Sequence, residues 1–193
     1  MRVSRLEKEK IREKILVHTL VGLKVWGHSA APVDKIMKGL GLTSGALYSH
    51  FKSKDDLIAQ VILCELDRLI EIHSIQVQKH GGNATGRYIE FYLSESHLEG
   101  IERGCMFVAL GADLHRLKPA IRVRIEAKME SLFLVFSGGF PKGSGRHRLA
   151  LAKFIFPSMV GALIFARSQK SRRSKTEILQ ATKKQLLKLL EVE

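Results

Sequence analysis

The sequence carries one run of small and hydrogen-bonding residues suited to contacting another molecule, L-T-S-G-A-L-Y-S-H at positions 42–50. Ahead of it, Ile36, Leu40 and Gly41 have the spacing of two short helices joined by a tight turn. Such a reversal favours a residue that tolerates positive φ, as glycine does. Small side chains at the start of the second helix let its N-terminus enter the major groove of DNA, where free N–H groups favour phosphate. The spacing therefore predicts a helix-turn-helix.

Helical periodicity surrounds this run. Apolar residues at i, i+3 and i+4 spacing over positions 11–26 predict a first helix, which Gly27 ends. Pro32 suits the first position of a second helix, and Thr43 suits the cap of a third that reaches about Phe51.

The remaining chain also has a helical pattern. Ser53 and Asp56 form a capping-box pattern at the start of a long fourth helix that runs towards Val77. No segment alternates between polar and apolar residues as a strand would, so the sequence predicts an all-α fold. The later amphipathic segments are Arg87–Leu98, Gly104–Arg116, Ala120–Phe136, Arg146–Ser168 and Lys175–Leu190.

The run LTSGALYSHFKSKDDLI resembles the signature of TetR-family transcriptional regulators. The matching positions are Gly27, Ile36, Gly41, Tyr48, Phe51, Lys54 and Leu57. Met37 and Ala31 depart from the family pattern, which favours a small residue and a capping Ser or Thr there. The resemblance implies a DNA-binding domain over residues 1–53 and a helical effector-binding and dimerisation domain over residues 54–193. Within the second domain, residues 54–78 would form the connecting helix.

The resemblance also assigns the residues that would contact DNA. Tyr48 and Lys54 would bind backbone phosphates, and Ala46 would lie close to thymine methyl groups. The alternative is that Tyr48 and His50 only pack within the head. The full set at or near the DNA is Thr43, Ser44, Gly45, Ala46, Tyr48, His50 and Lys54.

The C-terminal part is rich in phenylalanine, which by itself indicates a packed core. The resemblance adds a pocket among the middle helices for a small, often apolar effector. The candidates for its lining are Tyr88, Tyr92, Cys105, Met106, Phe133 and Phe136.

Two cysteines cannot form a disulfide framework, so the sequence favours a reducing cytoplasm. Gly104 places Cys105 near a helix N-terminus, where the helix dipole and Arg103 would lower the thiol pKa. The Gly-Cys pair resembles that of family members that respond to electrophiles or oxidants, while an inert packed thiol is the alternative. Cys64 is expected to pack on the apolar side of the fourth helix.

No metal, cofactor or enzymatic site is predicted. His97, Cys105 and His115 are spaced too widely for a local metal chelate. The glycine-rich loop G-F-P-K-G-S-G-R at 139–146 lacks the Gly-Lys-Ser/Thr ending of a phosphate-binding loop.

The last two helices carry surplus apolar surface, which predicts a homodimer interface. The resemblance implies a four-helix bundle across a two-fold axis, and a buried monomer core is the alternative. Residues 149–166 approach the length of a membrane span, but Lys153 and Pro157 interrupt them. We therefore predict a helix buried on most of its faces, no membrane insertion, and a solvated basic linker over residues 166–175.

The net charge of +13 lies mainly at the two ends of the chain. Residues 1–57 hold 11 Lys/Arg and 6 Asp/Glu, whereas residues 142–193 hold 12 and 3. This charge suggests a polyanionic partner, either nucleic acid or an anionic membrane surface.

Together these features predict a homodimeric, ligand-responsive repressor that an effector releases from a palindromic double-stranded DNA operator. Repression is an expectation from the family resemblance. Three alternatives remain: a DNA-binding regulator without small-molecule sensing, a thiol-based sensor acting through Cys105, and a helical enzyme or membrane-surface protein.

Overall fold

The computed structural model describes residues 5–27 and 33–191, and every regular element within these ranges is helical. The all-α prediction is confirmed, whereas the expectations for Ala31 and Pro32 fall outside the described residues. Short 3-10 helices cover Gly81–Asn83 and Gly111–Arg116. The α-helices are α1 (Arg5–Trp26), α2 (Val33–Gly39), α3 (Ser44–Leu47), α4 (Lys54–His80), α5 (Ala84–Tyr92), α6 (Glu95–Glu99), α7 (Met106–Leu110), α8 (Pro119–Ser137), α9 (Gly145–Ser168) and α10 (Arg172–Glu191).

Helices α1–α3 form a small head around a mainly apolar core, in which Thr19 is also buried. Ile15 and Leu23 of α1 meet Ile36 and Met37 of α2 and Leu47 of α3, and all five are at most 2% exposed. Met37 therefore fits the core despite its departure from the family pattern, because its long unbranched side chain fills the space between the helices.

The turn between α2 and α3 depends on glycine. Gly41 has φ +69°, and the next residue, Leu42, donates its N–H to the Met37 carbonyl at 2.9 Å. Helix α3 is shorter than predicted because it ends at Leu47, and turn hydrogen bonds carry the chain to Phe51.

Ser53 caps the start of α4 as predicted, because its Oγ accepts the Asp56 N–H at 3.1 Å. The Asp56 carboxylate completes the cap differently from a capping box, since it accepts the N–H of Lys52 at 2.9 Å. Burial by itself would raise the pKa of Asp56, but hydrogen bonds from Gln60 and the Lys52 N–H outweigh it and lower that pKa.

Helix α4 leaves the head and is the spine of a larger helical body. Helix α8 packs along α4, α9 packs on α8, and α10 packs on α9 and α5, while α1 of the head contacts both α4 and α7. The buried side chains from these helices continue the head core without a break.

Three predicted segments have different limits in the structure. The segment predicted over residues 87–98 breaks at Leu93, because the extended Ser94 caps α6 by accepting the His97 N–H. The segment predicted over 104–116 is α7 followed by a 3-10 helix. The predicted basic linker is mostly helical, since α9 and α10 leave only residues 169–171 between them.

Helix α9 is the one described helix long and apolar enough to cross a membrane, which is weak evidence because core helices of soluble proteins pass the same test. Its buried face includes Ile155 and Leu163, both 0% exposed. The prediction that most of its faces are buried is wrong for the single chain, because Phe154, Ile164 and Phe165 are exposed.

The positive φ of Gly41 yields a stability prediction. Gly41→Ala places a side chain in the left-handed region, which costs about 1–2 kcal/mol, and we expect the thermal unfolding midpoint to fall. Gly111→Ala is the matched control, because Gly111 has φ −53° and neither glycine has an atom within 4 Å of an added Cβ. Equal midpoints for the two variants would contradict a conformational requirement at Gly41.

Candidate functional site

The predicted DNA-contacting residues form one surface segment of the head. Thr43 caps α3 with extended backbone, and its hydroxyl makes no capping hydrogen bond. Thr43, Gly45 and Tyr48 are exposed, whereas the remaining four are half-buried. The structure therefore brings all seven to or near the same surface: Thr43, Ser44, Gly45, Ala46, Tyr48, His50 and Lys54.

Tyr48 lies outside the head core, with 65% of its surface exposed. This exposure disfavours the alternative that Tyr48 only packs within the head. A tyrosine in this position can donate its hydroxyl to a phosphate while its ring covers the backbone. Ser44 is less free, because its hydroxyl donates to Asp34 of α2.

His50 is surrounded by positive charge. Burial lowers the pKa of His50, and Lys8 and Arg12 of α1 lower it further, which favours the neutral imidazole. Arg12 also lies over the Phe51 ring, 5.1 Å from its centroid. The sequence analysis did not single out Lys8 and Arg12, although their i, i+4 spacing on a charged helix face was a usable signal.

A buried ion pair joins the head to the body. Lys24 Nζ, in the last turn of α1, lies 3.1 Å from Glu65 Oε1 of α4, and the two side chains are 5% and 2% exposed. Arg68 donates to both Glu65 oxygens, at 2.6 and 2.9 Å. Burial alone would raise the pKa of Glu65, but hydrogen bonds and charges from Arg68 and Lys24 outweigh it and lower that pKa. The sequence analysis missed this pair, whose signal was opposite charges at buried positions of two amphipathic helices.

Four of the predicted effector residues come together in the body, namely Tyr88, Tyr92, Cys105 and Phe136. The centroid of the Tyr88 ring lies 5.7 Å from that of the Tyr92 ring and 5.8 Å from that of the Phe136 ring. Burial raises the pKa of both tyrosine hydroxyls, and the Cys105 thiol adds to the increase. The group is a tight interior cluster in which Tyr92 and Phe136 are each 1% exposed.

His73 of α4 belongs to the same interior cluster and was not predicted. Its ring lies edge-on to Tyr88 at 4.3 Å and to Phe136 at 5.2 Å. The Nε2 atom is buried and makes no hydrogen bond, and burial lowers the pKa of His73 to about 4. A neutral buried imidazole with an unused nitrogen is a ready hydrogen-bonding group for a molecule that enters this cluster.

The expected low pKa of Cys105 is wrong. Cys105 caps α7, but burial raises its pKa and outweighs the N–H groups of Phe107 and Val108 and the charge of Lys24. A five-residue helix offers little dipole to oppose that burial. Cys64 was expected to be packed and is exposed instead, because it lies on the outer face of α4.

Two adjacent cavities open along α8, the first between α7, α8 and α9 and the second between α8 and the 3-10 helix Gly111–Arg116. The first is about 320 Å³, is almost wholly apolar, and is lined by Phe107, Phe156 and Gly161 among others. The second, about 440 Å³, shares Met129 and Phe133 with it and ends among polar side chains. Of the predicted effector residues, Phe133 lines both of these cavities. Met106 is packed in the core, with 1% of its surface exposed.

The outer face of α9 is apolar and unpartnered in the single chain. Phe154 and Phe165 are 56% and 66% exposed, and Gly161 lies between them with open space where a Cβ would be. A flat apolar face with a central glycine allows a second helix to approach closely.

Within residues 5–27 and 33–191, no three His, Cys, Asp or Glu side chains are grouped so that they could hold a metal ion.

Comparison with known proteins gives a family match for the helix-turn-helix region and a fold for the chain. The family model described as bacterial regulatory proteins, tetR family, matches residues 26–61. No curated protein sequence matches the chain.

Several solved structures have the same fold at low sequence identity. A TetR transcriptional regulator from Legionella pneumophila is 18% identical, with a TM-score of 0.77 and coverage of 98% of this chain and 99% of that one. Reduced NemR from E. coli is 18% identical, with a TM-score of 0.74 and coverage of 92% and 95%. FadR from Bacillus subtilis, in complex with stearoyl-CoA, is 17% identical, with a TM-score of 0.62 and coverage of 92% and 96%.

The buried ion pair yields a prediction with a pH signature. Lys24→Met leaves the Glu65 carboxylate buried with less compensation, so we expect a loss of about 3 kcal/mol in the free energy of unfolding at pH 7. The folded-state pKa of Glu65 is below 4.5 in the native chain, so its stabilising effect is present above pH 4.5 and is lost as the pH falls through that lower pKa. The difference between the two proteins should therefore shrink in acid.

The control for this prediction is the double variant Lys24→Met/Glu65→Leu, which removes both charges and should recover most of the lost stability. Denaturant unfolding at several pH values measures all three proteins. A loss in Lys24→Met that does not change with pH, or a double variant as unstable as the single one, would refute this role of the ion pair.

Proposed function

We propose that this chain, which matches the tetR family model over residues 26–61 and has the fold of TetR regulators, is a homodimeric, ligand-responsive DNA-binding transcriptional regulator. The observation that carries the proposal is the exposed segment 43–50, which presents Tyr48 and the start of α3 on one surface of the head. The protein is proposed to act in the cytoplasm as a repressor, which binds its operator and is released from the DNA when an effector binds.

In the proposed complex, α3 lies in the major groove and the surrounding residues bind phosphate. Tyr48 and Lys54 contact the backbone, as do the newly identified Lys8 and Arg12 near His50. Gly45 and Ala46 have no bulk that would keep α3 from the base edges, which supports close approach. Thr43, whose hydroxyl is not used for capping, is free to bond a base or a phosphate.

Dimerisation in this proposal uses the exposed face of α9 together with α10. Phe154 and Phe165 supply the apolar surface, and Gly161 allows contact between the two helices. The two heads of such a dimer would bind half-sites about one helical turn, roughly 34–36 Å, apart.

The proposed effector enters the paired cavities along α8. Their apolar lining supports an elongated apolar molecule that lies along Met129 and Phe133. The interior cluster of Tyr88, Tyr92 and Cys105, with the unbonded Nε2 of His73, would supply hydrogen bonds to any polar part that reaches it. That stearoyl-CoA is bound in the FadR structure accords with an apolar effector in this fold.

Head and body are physically coupled in a way that supports effector control. Phe107 of α7 lines the cavity, and α7 packs directly on α1 of the head. Lys24 then ties α1 to α4 through Glu65. A ligand that displaces α7 would therefore change the angle between the head, proposed as residues 1–53, and the body, proposed as residues 54–193.

The main rival function is a DNA-binding regulator whose body only dimerises. The open cavities beside α7 favour sensing over this rival. A thiol sensor acting through Cys105 is less well supported, because burial raises the pKa of that thiol and so disfavours the reactive thiolate.

The DNA-binding proposal predicts a sequence-independent loss of affinity. Tyr48→Phe removes only the hydroxyl, and Lys54→Ala removes one charge per protomer. Both should weaken binding to cognate and unrelated DNA alike, and Lys54→Ala should reduce the slope of log affinity against log salt by about 2 per dimer. Fluorescence anisotropy with labelled duplexes measures both effects.

The control for charge alone is Lys79→Ala, because Lys79 is exposed at the far end of α4. The assignment of Tyr48 and Lys54 is wrong if their variants bind DNA with native affinity, or if Lys79→Ala is equally weakened.

The dimer proposal predicts a change in oligomeric state. Phe165→Glu places a charge on the proposed apolar interface and should shift the protein from dimer to monomer in sedimentation velocity. Val123→Glu is the matched control, because Val123 is 65% exposed on α8, outside that face. If Phe165→Glu and Val123→Glu are both dimeric, the interface lies elsewhere. If the native protein is a monomer, the dimer proposal is wrong.

A further inference from the structure

The positive charge of the C-terminal region includes a cluster at the turn between α9 and α10, here called the basic turn and defined as residues 169–175. It contains Lys170, Arg172, Arg173 and Lys175. The proposed contacts of the head do not use these residues, and neither does the proposed effector site.

The basic turn lies at the end of the body that faces the head. Helix α8 starts beside the first turn of α4, where Lys118 Nζ lies 3.9 Å from Asp55 Oδ2. The end of α8 is near the far end of α4, since the Gly139 carbonyl just beyond it accepts the Thr85 N–H at 3.1 Å. Helix α9 then runs back, which places the turn after Ser168 on the head side.

Contacts of α6 confirm this position independently. Arg167 donates to the carbonyls of His97 and Leu98 at 3.0 Å, and Arg172 lies 3.0 Å from Glu95. Helix α6 and the loop after it share a cavity of about 660 Å³ with Val25, in the last turn of α1. The basic turn is thus separated from the head by α6 and that loop.

The charges of the basic turn are only partly neutralised. Arg172 pairs with Glu95, and Arg173 pairs with Glu177 at 2.8 Å, but both arginine side chains are more than 80% exposed. Lys170 and Lys175 make no ion pair within the described residues. Both line a cavity of about 420 Å³ in which four cations, with Arg167 and Arg172, outnumber the two carboxylates of Glu95 and Glu99.

This placement of charge does not favour the stability of α10. The first turn of α10 contains no acidic residue, although the positive end of the helix dipole favours acids there. Cations at a helix N-terminus repel that dipole. An anionic partner would turn this unfavourable arrangement into a favourable one, because cations, dipole and free N–H groups would all attract it.

The proposed dimer brings two such turns together. Since α9 and α10 form the interface, the basic turns of both protomers lie close to the two-fold axis on the side of the heads. The DNA between two half-sites crosses the same axis. This step rests on the proposed dimer and on the proposed DNA-binding function.

We propose that the basic turn is a second DNA-binding surface, which attracts the phosphate groups of the operator between its two half-sites. Its partner is the backbone of double-stranded DNA, so it adds affinity without reading sequence. The C-terminal charge excess thereby acts in the same complex as the charge of the head.

The test is the double variant Lys170→Gln/Lys175→Gln, which leaves the Arg172–Glu95 and Arg173–Glu177 pairs intact. Its dimer lacks four positive charges at the basic turn, so the slope of log affinity against log salt should be smaller by about 2–4. The matched control is Lys79→Gln/Arg87→Gln, which removes the same charge from exposed positions at the far end of the body. Its slope should change by less than about 1.

A second measurement locates the contact on the DNA. In a duplex selected by the native protein, the phosphates between the half-sites are replaced by uncharged methylphosphonates. The native protein should lose affinity on this duplex, whereas Lys170→Gln/Lys175→Gln, which keeps only Arg172 and Arg173 at the turn, should lose clearly less.

The outcomes separate the two proposals. If the native protein binds no DNA, the proposed function fails. If it binds DNA and both charge variants have native slopes, or both lose slope equally, only the basic turn is wrongly assigned. Binding to vesicles of anionic phospholipid that depends on Lys170 and Lys175, with operator affinity unchanged, would assign the turn to a membrane and overturn the inference.

Discussion

The buried ion pair between Lys24 and Glu65 is the constraint on which the arrangement of this protein depends. It is the buried ionic link across the junction between α1 and α4, which Arg12 and Gln60 also join by a hydrogen bond, and Arg68 completes the hydrogen bonding of the carboxylate. Burying two charges costs about as much free energy as their attraction returns, so such a pair contributes little net stability. It does penalise every orientation of the head that separates the charges. The pair therefore fixes geometry, which the proposed dimer requires if its two heads are to match two half-sites.

The rest of the body is arranged around that junction. Phe107 lies in the wall of the apolar cavity and on α7, which packs on α1, so the proposed effector site is one helix away from the head. The proposed dimer helix α9 borders the same cavity through Gly161 and exposes Phe154 and Phe165. In this account the effector acts on the head through a displaced helix, and dimerisation converts a change in one head into a change in the spacing of two.

Sequence reasoning predicted the head well because its signals are local. The positive φ of Gly41, the Ser53 cap and the all-α pattern each depend on a few neighbouring residues. It failed where the answer depends on distant parts of the chain. The helix dipole argument for Cys105 was correct in sign, but burial against the body reversed the resulting pKa. The outer position of Cys64 and the pairing of Lys24 with α4 likewise become visible only when helices far apart in sequence are packed together.

Hydroxyl-radical footprinting tests the central claim most directly, on a duplex that the native protein selects from a random pool. Two heads on one face of DNA predict two protected segments with two-fold symmetry, about one helical turn apart, and both should disappear in the Tyr48→Ala protein. Protection that is uniform along the duplex, or the absence of any selected sequence, would contradict the account of a dimer that reads a palindromic operator.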